Sequence, residues 1–406
     1  MEVMHAAPAA ARFDGIEAEA RITDWGAVIR QKQALVDDLR AAKYVDVLPS
    51  YNGIAYLEGA AAFGDGGALA LSGERVRAGK VIIATGSRPD VPAIPGLEAV
   101  RHHDSMSILA LEELPGSLIV MGGGYVGAEL AQVFARAGVR VTIVTRRGLL
   151  PEAEPEIAAA LTRAFEDEGI GVRTVARYIR AAQSGDRIAL TLETGSGEET
   201  LEADELLLAT GRVPNTEHLA LARAGIATGS RGGIVVDDRM RTSCPGIYAA
   251  GDVTGRDQFV YMAAYGAKLA AKNAMNGDGL AYDNSAMPAV VFCDPQVASV
   301  GLTEAQARAA GHAVRTSVLP LEHVPRALAA RDTRGLIKLV ADGPSKRLLG
   351  AHILAPEGAD SIQTAVMALK AGMTYEDLGA TIFPYLTTVE GLKLAAQTFE
   401  RDVARL

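Results

Sequence analysis

The chain has 406 residues, room for two or three domains, with 49% hydrophobic and 22% charged residues, the profile of an ordinary soluble globular protein. A formal net charge of −9 argues against a general nucleic-acid partner and against anionic membrane surfaces. No apolar run reaches the roughly 18 residues that span a bilayer. The first residues, MEVMHAAPAAARFDG, lack a basic region followed by an apolar one, so no signal peptide is read and a cytoplasmic location is expected.

In chain order, residues 26–42 have the pattern of an amphipathic helix, with Val28, Ile29, Leu35 and Leu39 near helical spacing. Short strands are expected at 53–57, 68–71 and 80–84, separated by Gly and Asp turns. From Leu118 the pattern becomes strand, glycine loop, helix, strand (139–144), helix and further strands, the alternation of a parallel sheet covered by helices. Strands resume around 233–250 and close on GIYAAGD. From Ala281 onward, strands (AVVFCD, LIKLVAD, LLGAHIL) alternate with helices (ADSIQTAVMALKAG, VEGLKLAAQTFERDV), a separate α+β unit. The two cysteines, Cys244 and Cys293, stand alone without CxxC, CxxxxC or metal-ligand spacing, and are expected to be buried or half-buried thiols.

The sharpest motif is Gly122-Gly123-Gly124-Tyr125-Val126-Gly127, a G-x-G-x-x-G that follows an apolar strand and opens a helix. Gly122 permits the tight turn, Gly124 lets backbone approach a pyrophosphate, and Gly127 lets helix and strand pack closely. The helix N-terminus offers free amides and partial positive charge to the phosphates. The bland alternative is a tight turn without a ligand. Where an NAD site usually carries a carboxylate at the end of the second strand, this chain reads Thr145-Arg146-Arg147. Two guanidiniums suit a 2′-phosphate, because each planar fork can bind it bidentately, so NADPH is expected over NAD. The alternative there is a solvated basic corner.

Three more motifs join this one. Two strands end in ATG, at Thr85-Gly86 and at Thr210-Gly211-Arg212, and residues 242–252, TSCPGIYAAGD, end on Gly251 and Asp252. This order resembles the flavoprotein disulfide reductases with two dinucleotide sites, over essentially the whole chain. The resemblance implies an α/β fold with two Rossmann-like domains, for FAD and NADPH, the first incomplete, plus a C-terminal α+β dimerisation domain. It assigns residues 1–104 and 226–280 to FAD binding, 105–225 to NADPH binding and 281–406 to the dimer interface. It further implies that Asp252 bonds the ribityl chain of FAD, that the ATG turns pack where the two cofactor domains meet, that Tyr125 is a lid over the flavin, and that Glu129 lies near flavin N5. Without the motif, Tyr125 and Glu129 would read as a surface tyrosine and an ordinary helical glutamate.

The C-terminal third narrows the family. Most relatives carry His-Pro before a glutamate as an acid–base pair for thiol chemistry; residues 383–397 read FPYLTTVEGLKLAAQ, with Tyr385 at the histidine position. A phenol with an ordinary pKa of about 10 is a poor base near neutrality, which disfavours a dithiol substrate. This stretch, with 258–266, 286–301 and 324–335, resembles the mercuric reductase family. There, a tyrosine of the Tyr385 type from one subunit faces the flavin and mercury of the other, and a second, here Tyr44, lines the same site. By default a tyrosine ending an amphipathic helix is a packing residue. Both are therefore candidate mercury-facing residues, in a homodimer that shares its sites. The implied activity is reduction of Hg(II) by NADPH through FAD. The resemblance puts the strand and glycine loop for the ADP half of FAD and the redox cysteine pair ahead of Met1, and the cysteine tail that delivers Hg(II) after Arg405 and Leu406, so these residues alone are expected to be impaired in FAD retention and turnover. The alternatives are another disulfide reductase, such as a dihydrolipoamide dehydrogenase relative, and a non-catalytic, NADPH-binding dimeric remnant.

Overall fold

The structure, a computed structural model, describes residues 2–65, 68–401 and 403; Met1, Arg405 and Leu406 lie outside the described residues. The chain divides into two compact units, residues 1–26, 91–210 and 284–406 in the first, and 27–90 with 211–283 in the second.

The first unit contains a four-stranded parallel sheet in the order Glu205–Leu208, Ser117–Met121, Arg140–Thr145, Gly171–Thr174. Ser117–Met121 is buried at every position, which is why SLIVM is a continuous apolar run instead of an alternating one. The helix Tyr125–Arg136 buries Leu130, Ala131 and Phe134. The helix Pro155–Asp167 opens on a proline at its first turn, where no N–H is missed, and buries Ile157, Leu161, Ala164 and Phe165 along one stripe. A three-stranded antiparallel sheet, Arg177–Ser184, Arg187–Thr194 and Gly197–Ala203, adds Ile188, Leu190 and Leu192 to the core shared with Ile119, Met121 and Leu206.

The same unit holds a five-stranded antiparallel sheet, ordered Pro288–Val291, Gln296–Gly301, Leu348–Ala355, Leu336–Asp342, Val314–Pro320. The helices Gly358–Lys370, Tyr375–Ala380 and Glu390–Gln397 contribute Ile362, Ala365, Leu378, Leu392 and Ala395 to one core with Ile337, Leu339 and Ile353. Thr374 caps its helix reciprocally with Asp377, a capping box that fixes where that helix begins.

In the second unit, two short parallel strands, Val81–Ile83 and Ile247–Ala249, pair beside the helix Val260–Asn276, and Ser87–Pro89 pairs with Arg212–Pro214. A meander of Ala61–Phe63, Leu69–Leu71 and Glu74–Val76 packs Phe63 and Leu69 against Ile83, Ile234 and Val253. The helix expected at 26–42 forms as Trp25–Arg40 and runs into a π-helical turn, Ala41–Val45. The strand expected at 53–57 does not form; Gly53 turns at a φ of 90°, Ile54, Tyr56 and Leu57 are exposed, and no strand pairs with that apolar run among the described residues. No described helix is long and apolar enough to cross a membrane.

Within the first unit, one buried ammonium ties the parallel sheet's loops to the antiparallel sheet. Lys338, 1% exposed on a central strand, donates to Glu154 at 2.9 Å, to Glu156 at 2.9 and 3.0 Å and to Glu304 at 3.0 Å. Glu154 is itself 2% exposed and accepts from the Glu304 backbone N–H at 2.6 Å. Burial opposes the charge on Lys338, but hydrogen bonds to the three carboxylates overcome it and raise its pKa above the ordinary lysine value. Burial also depresses the neighbouring His352, which keeps that imidazole neutral near pH 7. Replacing Lys338 with Met, of similar bulk, leaves the buried Glu154 carboxylate uncompensated; we expect a loss of about 3–5 kcal/mol in unfolding free energy by denaturant titration, partly recovered when Glu154→Gln is added.

Candidate functional site

Spatial order in the parallel sheet reverses beside Ser117–Met121, whose sequence neighbours lie on one side and the late strand Glu205–Leu208 on the other. Ligands of doubly wound sheets sit outside the carboxyl ends of strands at such a switch point, and the glycine loop begins there. Each glycine's role is geometric. A Cβ on Gly122, at a φ of 114°, would lie 2.2 Å from the Ala209 carbonyl oxygen, and one on Gly127 would lie 2.1 Å from the Gly122 carbonyl oxygen. Both contacts exclude any side chain. At Gly124 a Cβ would meet nothing within 4 Å, so this backbone faces open space at the helix N-terminus. A bare, open backbone at a helix N-terminus fits the pyrophosphate of a nucleotide.

At the end of the second strand, Thr145 Oγ1 donates to the Gly148 carbonyl at 2.9 Å, closing a turn that holds Arg146 and Arg147 outward and exposed. Arg147 meets Glu152 at 2.9 Å, with both side chains more than two-thirds exposed, a pairing worth little and easily exchanged for a phosphate. Tyr178, whose hydroxyl donates to the Val144 carbonyl at 3.1 Å, is pushed up by burial and pulled down by the charge of Arg146.

Tyr125 opens the glycine-loop helix at 36% exposure; burial, reinforced by Glu152, pushes its phenol up, so it is neutral at physiological pH. Glu129 follows one turn later and lines a cleft of about 450 Å³ with His5, Arg12, Gln132, Arg136 and Phe292. Its Oε1 accepts from the Phe292 backbone N–H at 2.8 Å. Burial pushes the Glu129 carboxyl above the ordinary carboxylate range, and that hydrogen bond offsets only part of the rise. Tyr385 does not line this cleft; it stands 72% exposed on the loop before the helix Glu390–Gln397. Near it in sequence, Glu390 is 7% exposed and its Oε2 finds no hydrogen-bond partner among the described residues.

In the second unit the two ATG turns and the GD turn come together. Thr85 Oγ1 donates to the Asn215 carbonyl at 2.8 Å, while Asn215 N–H donates to the Gly86 carbonyl at 2.9 Å. Arg212 Nε donates to Ser87 Oγ at 2.7 Å, and Ser87 Oγ donates to Asp252 Oδ2 at 2.7 Å. The Asp90 N–H reaches the Gly211 carbonyl at 3.0 Å, and Gly251 turns at a φ of 75°. Asp252 therefore acts here as a hydroxyl acceptor, the chemistry a polyhydroxyl cofactor chain requires. Tyr44, in this unit, is 64% exposed inside the π-helical turn. Such turns recur at functional sites.

Sequence reasoning missed the pairing of Gln132 with Asp294 and the Lys338 cluster. A lysine inside the apolar run LIKLVAD was the available signal for the latter, because a buried ammonium needs a partner. The two thiols fit expectation: Cys244 is half-buried, and Cys293 is buried, with burial pushing its thiol to about 12. For Glu129 the sign of the pH effect follows from its raised pKa. The folded state binds this proton more tightly, so wild type loses stability as pH climbs from the unfolded value through the folded one. Glu129→Gln keeps the acceptor for Phe292 and removes the charge; its thermal midpoint should gain on wild type between pH 4 and pH 7, and a constant difference across that range would refute the assignment.

Residues 6–271 match the family described as "Pyridine nucleotide-disulphide oxidoreductase", and 287–396 match its dimerisation domain. The chain is 46% identical over 410 residues to a mercuric reductase of Streptomyces lividans, covering 100% of this chain and 86% of that one. To a mercuric reductase of Acidithiobacillus ferrooxidans it is 47% identical over 400 residues, covering 97% and 72%. Among solved structures, the HOCl-induced flavoprotein disulfide reductase RclA from Escherichia coli superposes with a TM-score of 0.83 at 33% identity, over 92% of this chain and 86% of that one. The mixed α/β architecture with its glycine loop, and these likenesses along nearly all of its length, agree: the chain belongs to the pyridine nucleotide-disulphide oxidoreductase family of oxidoreductases, in its mercuric reductase branch.

Proposed function

We propose that this chain serves the reaction Hg(II) + NADPH → Hg(0) + NADP⁺ + H⁺, with FAD as the second cofactor. The observation that carries the reading is the glycine loop: two positions where no side chain fits and one open backbone between them, at the switch point of a parallel sheet. The mercury half draws on the mercuric reductases to which the chain is similar and on Tyr385, which stands where a thiol reductase would need a base.

In this reading Gly122, Gly124 and Gly127 cradle the pyrophosphate, and Arg146 and Arg147 hold the 2′-phosphate through charge-assisted hydrogen bonds. Thr85, Gly86, Gly211, Arg212, Gly251 and Asp252 form the FAD-facing turns, with Asp252 accepting from a cofactor hydroxyl. When bound, NADPH would supply a hydride to FAD, and FAD would supply that same electron pair to the metal. Tyr125 is the movable lid and Glu129 the carboxyl beside the reacting rings. Tyr44 and Tyr385 face mercury, each from a different subunit. Hg(II) is soft and seeks thiolates, and the buried, neutral Cys293 does not offer one. Residues 1–104 and 226–280 are read as the FAD domain, 105–225 as the NADPH domain, and 281–406 as the interface of a homodimer. The exposed Ile382, Met367, Leu386 and Tyr385 support that interface, since water-facing apolar side chains of that number call for a cover.

The dihydrolipoamide dehydrogenase alternative gains no observation. The test of the main reading is a visible spectrum of the purified chain with added FAD, before and after NADPH, followed by Hg(II) presented with excess small thiol. A retained flavin band that bleaches with NADPH and returns with Hg(II) is expected; a chain that passes through a desalting column colourless would overturn the catalytic reading. The nucleotide assignment has its own check. Arg146→Ala with Arg147→Ala should weaken NADPH binding by about 10–100-fold and leave NADH binding within about twofold, the loss of one or two charge-assisted hydrogen bonds to the 2′-phosphate.

A further inference from the structure

The glycine-loop helix Tyr125–Arg136 has a second set of contacts, on one face, with a segment more than 150 residues away. Glu129 Oε1 accepts from the Phe292 N–H at 2.8 Å. Gln132 Oε1 accepts from the Asp294 N–H at 2.8 Å, and its Nε2 donates to the Asp294 carbonyl at 2.7 Å. Arg136 Nη2 donates to Asp294 Oδ2 at 2.9 Å. Positions 129, 132 and 136 stand at i, i+3 and i+7, so they share a face. At the centre, Gln132 is 4% exposed and satisfies both backbone groups of one residue, as a neighbouring β-strand would. Only a side-chain amide of this length carries a donor and an acceptor for that task; leucine offers neither and glutamate only acceptors.

Around this centre the charges interlock. Arg136 also binds Glu168 at 2.6 and 2.8 Å, Arg334 reaches Asp294 at 3.1 Å, and Gln132 Nε2 lies 3.1 Å from Glu168. The segment so gripped ends in an unusual arrangement: the Phe292 ring is 68% exposed while its backbone is tied to the helix. A large apolar side chain held out into water by a fixed backbone is preorganised for a contact.

We infer that Gln132 is a positioning residue that fastens segment 292–294 to the glycine-loop helix, so that nucleotide bound at the helix N-terminus is registered at Phe292. The inference rests on reading Gly122–Gly127 as the nucleotide site. The helix is the rigid link: phosphate binding quiets its first turn, and the paired bonds of Gln132 pass that restraint to the Asp294 amide. Coupling of this kind operates through restricted fluctuation and needs no displacement.

Amide hydrogen exchange on the full chain tests it, with and without NADPH, in wild type and in Gln132→Leu. In wild type, NADPH should slow exchange both at residues 122–130 and at the Phe292 and Asp294 amides, by about fivefold or more at the latter, on the order of one hydrogen bond's net worth. In Gln132→Leu the protection at 122–130, and at Phe292 through Glu129, should persist and that at Asp294 should vanish. Protection at 122–130 without protection at 292–294 in wild type overturns the coupling while leaving the nucleotide site standing. Equal protection at Asp294 in the leucine variant overturns the role of Gln132. No protection at 122–130 in wild type overturns the nucleotide reading and the coupling with it. The wild-type arm decides the coupling by itself should the leucine variant fail to fold.

Discussion

A buried ammonium without a counter-charge is among the costliest things a protein can contain, and the first unit is organised around satisfying one. Lys338 sits on a central strand and finds its carboxylates elsewhere: Glu154 and Glu156 at the start of a helix of the parallel sheet, Glu304 at the start of another. The cluster therefore fixes the register between the parallel and the antiparallel sheet. Loop 145–154, which presents Arg146, Arg147 and Glu152, is anchored at one end by its strand and at the other by Glu154. Hydrophobic packing alone would let those sheets slide by a fraction of a side chain; directed bonds to one nitrogen do not.

The nucleotide end was legible in the sequence because its constraints are local. Gly127 is fixed by the Gly122 carbonyl within the motif, Gly122 by the Ala209 carbonyl just past the adjoining strand, and Gly124 leaves open backbone; spacing after an apolar strand states that need directly. The same holds for the stripe on Pro155–Asp167. The clamp was legible by half. Glu129, Gln132 and Arg136 announce a polar face on an otherwise apolar helix, yet their partner lies at 292–294, and nothing in the residues between says where that segment returns. The run at 53–57 fails to form a strand for the converse reason: apolarity is present, but a strand exists only against a neighbour, and none pairs with it among the described residues.

Glu129 joins the two scales. Its place one turn after Tyr125 comes from the motif, and its chemistry comes from its burial and the Phe292 N–H. Burial pushes that carboxyl above the ordinary carboxylate range, and the Phe292 N–H offsets part of the rise. The tyrosines are the opposite case. Tyr44 and Tyr385 are each exposed in their own unit, and the mercury-facing role proposed for them would place both in a site shared between subunits.

The helix Trp25–Arg40 carries that thought furthest. Its first turns bury Trp25 and Ile29, whereas Leu35, Val36 and Leu39 face water. Half of the helix is thus covered by its own chain and half left bare among the described residues. Were a second copy to cover that half as well as the interface proposed at 281–406, stability would become a property of the pair, subject to mass action. Dilution would then act as a mild denaturant, and the amount of protein a cell makes would set how firmly each molecule holds together.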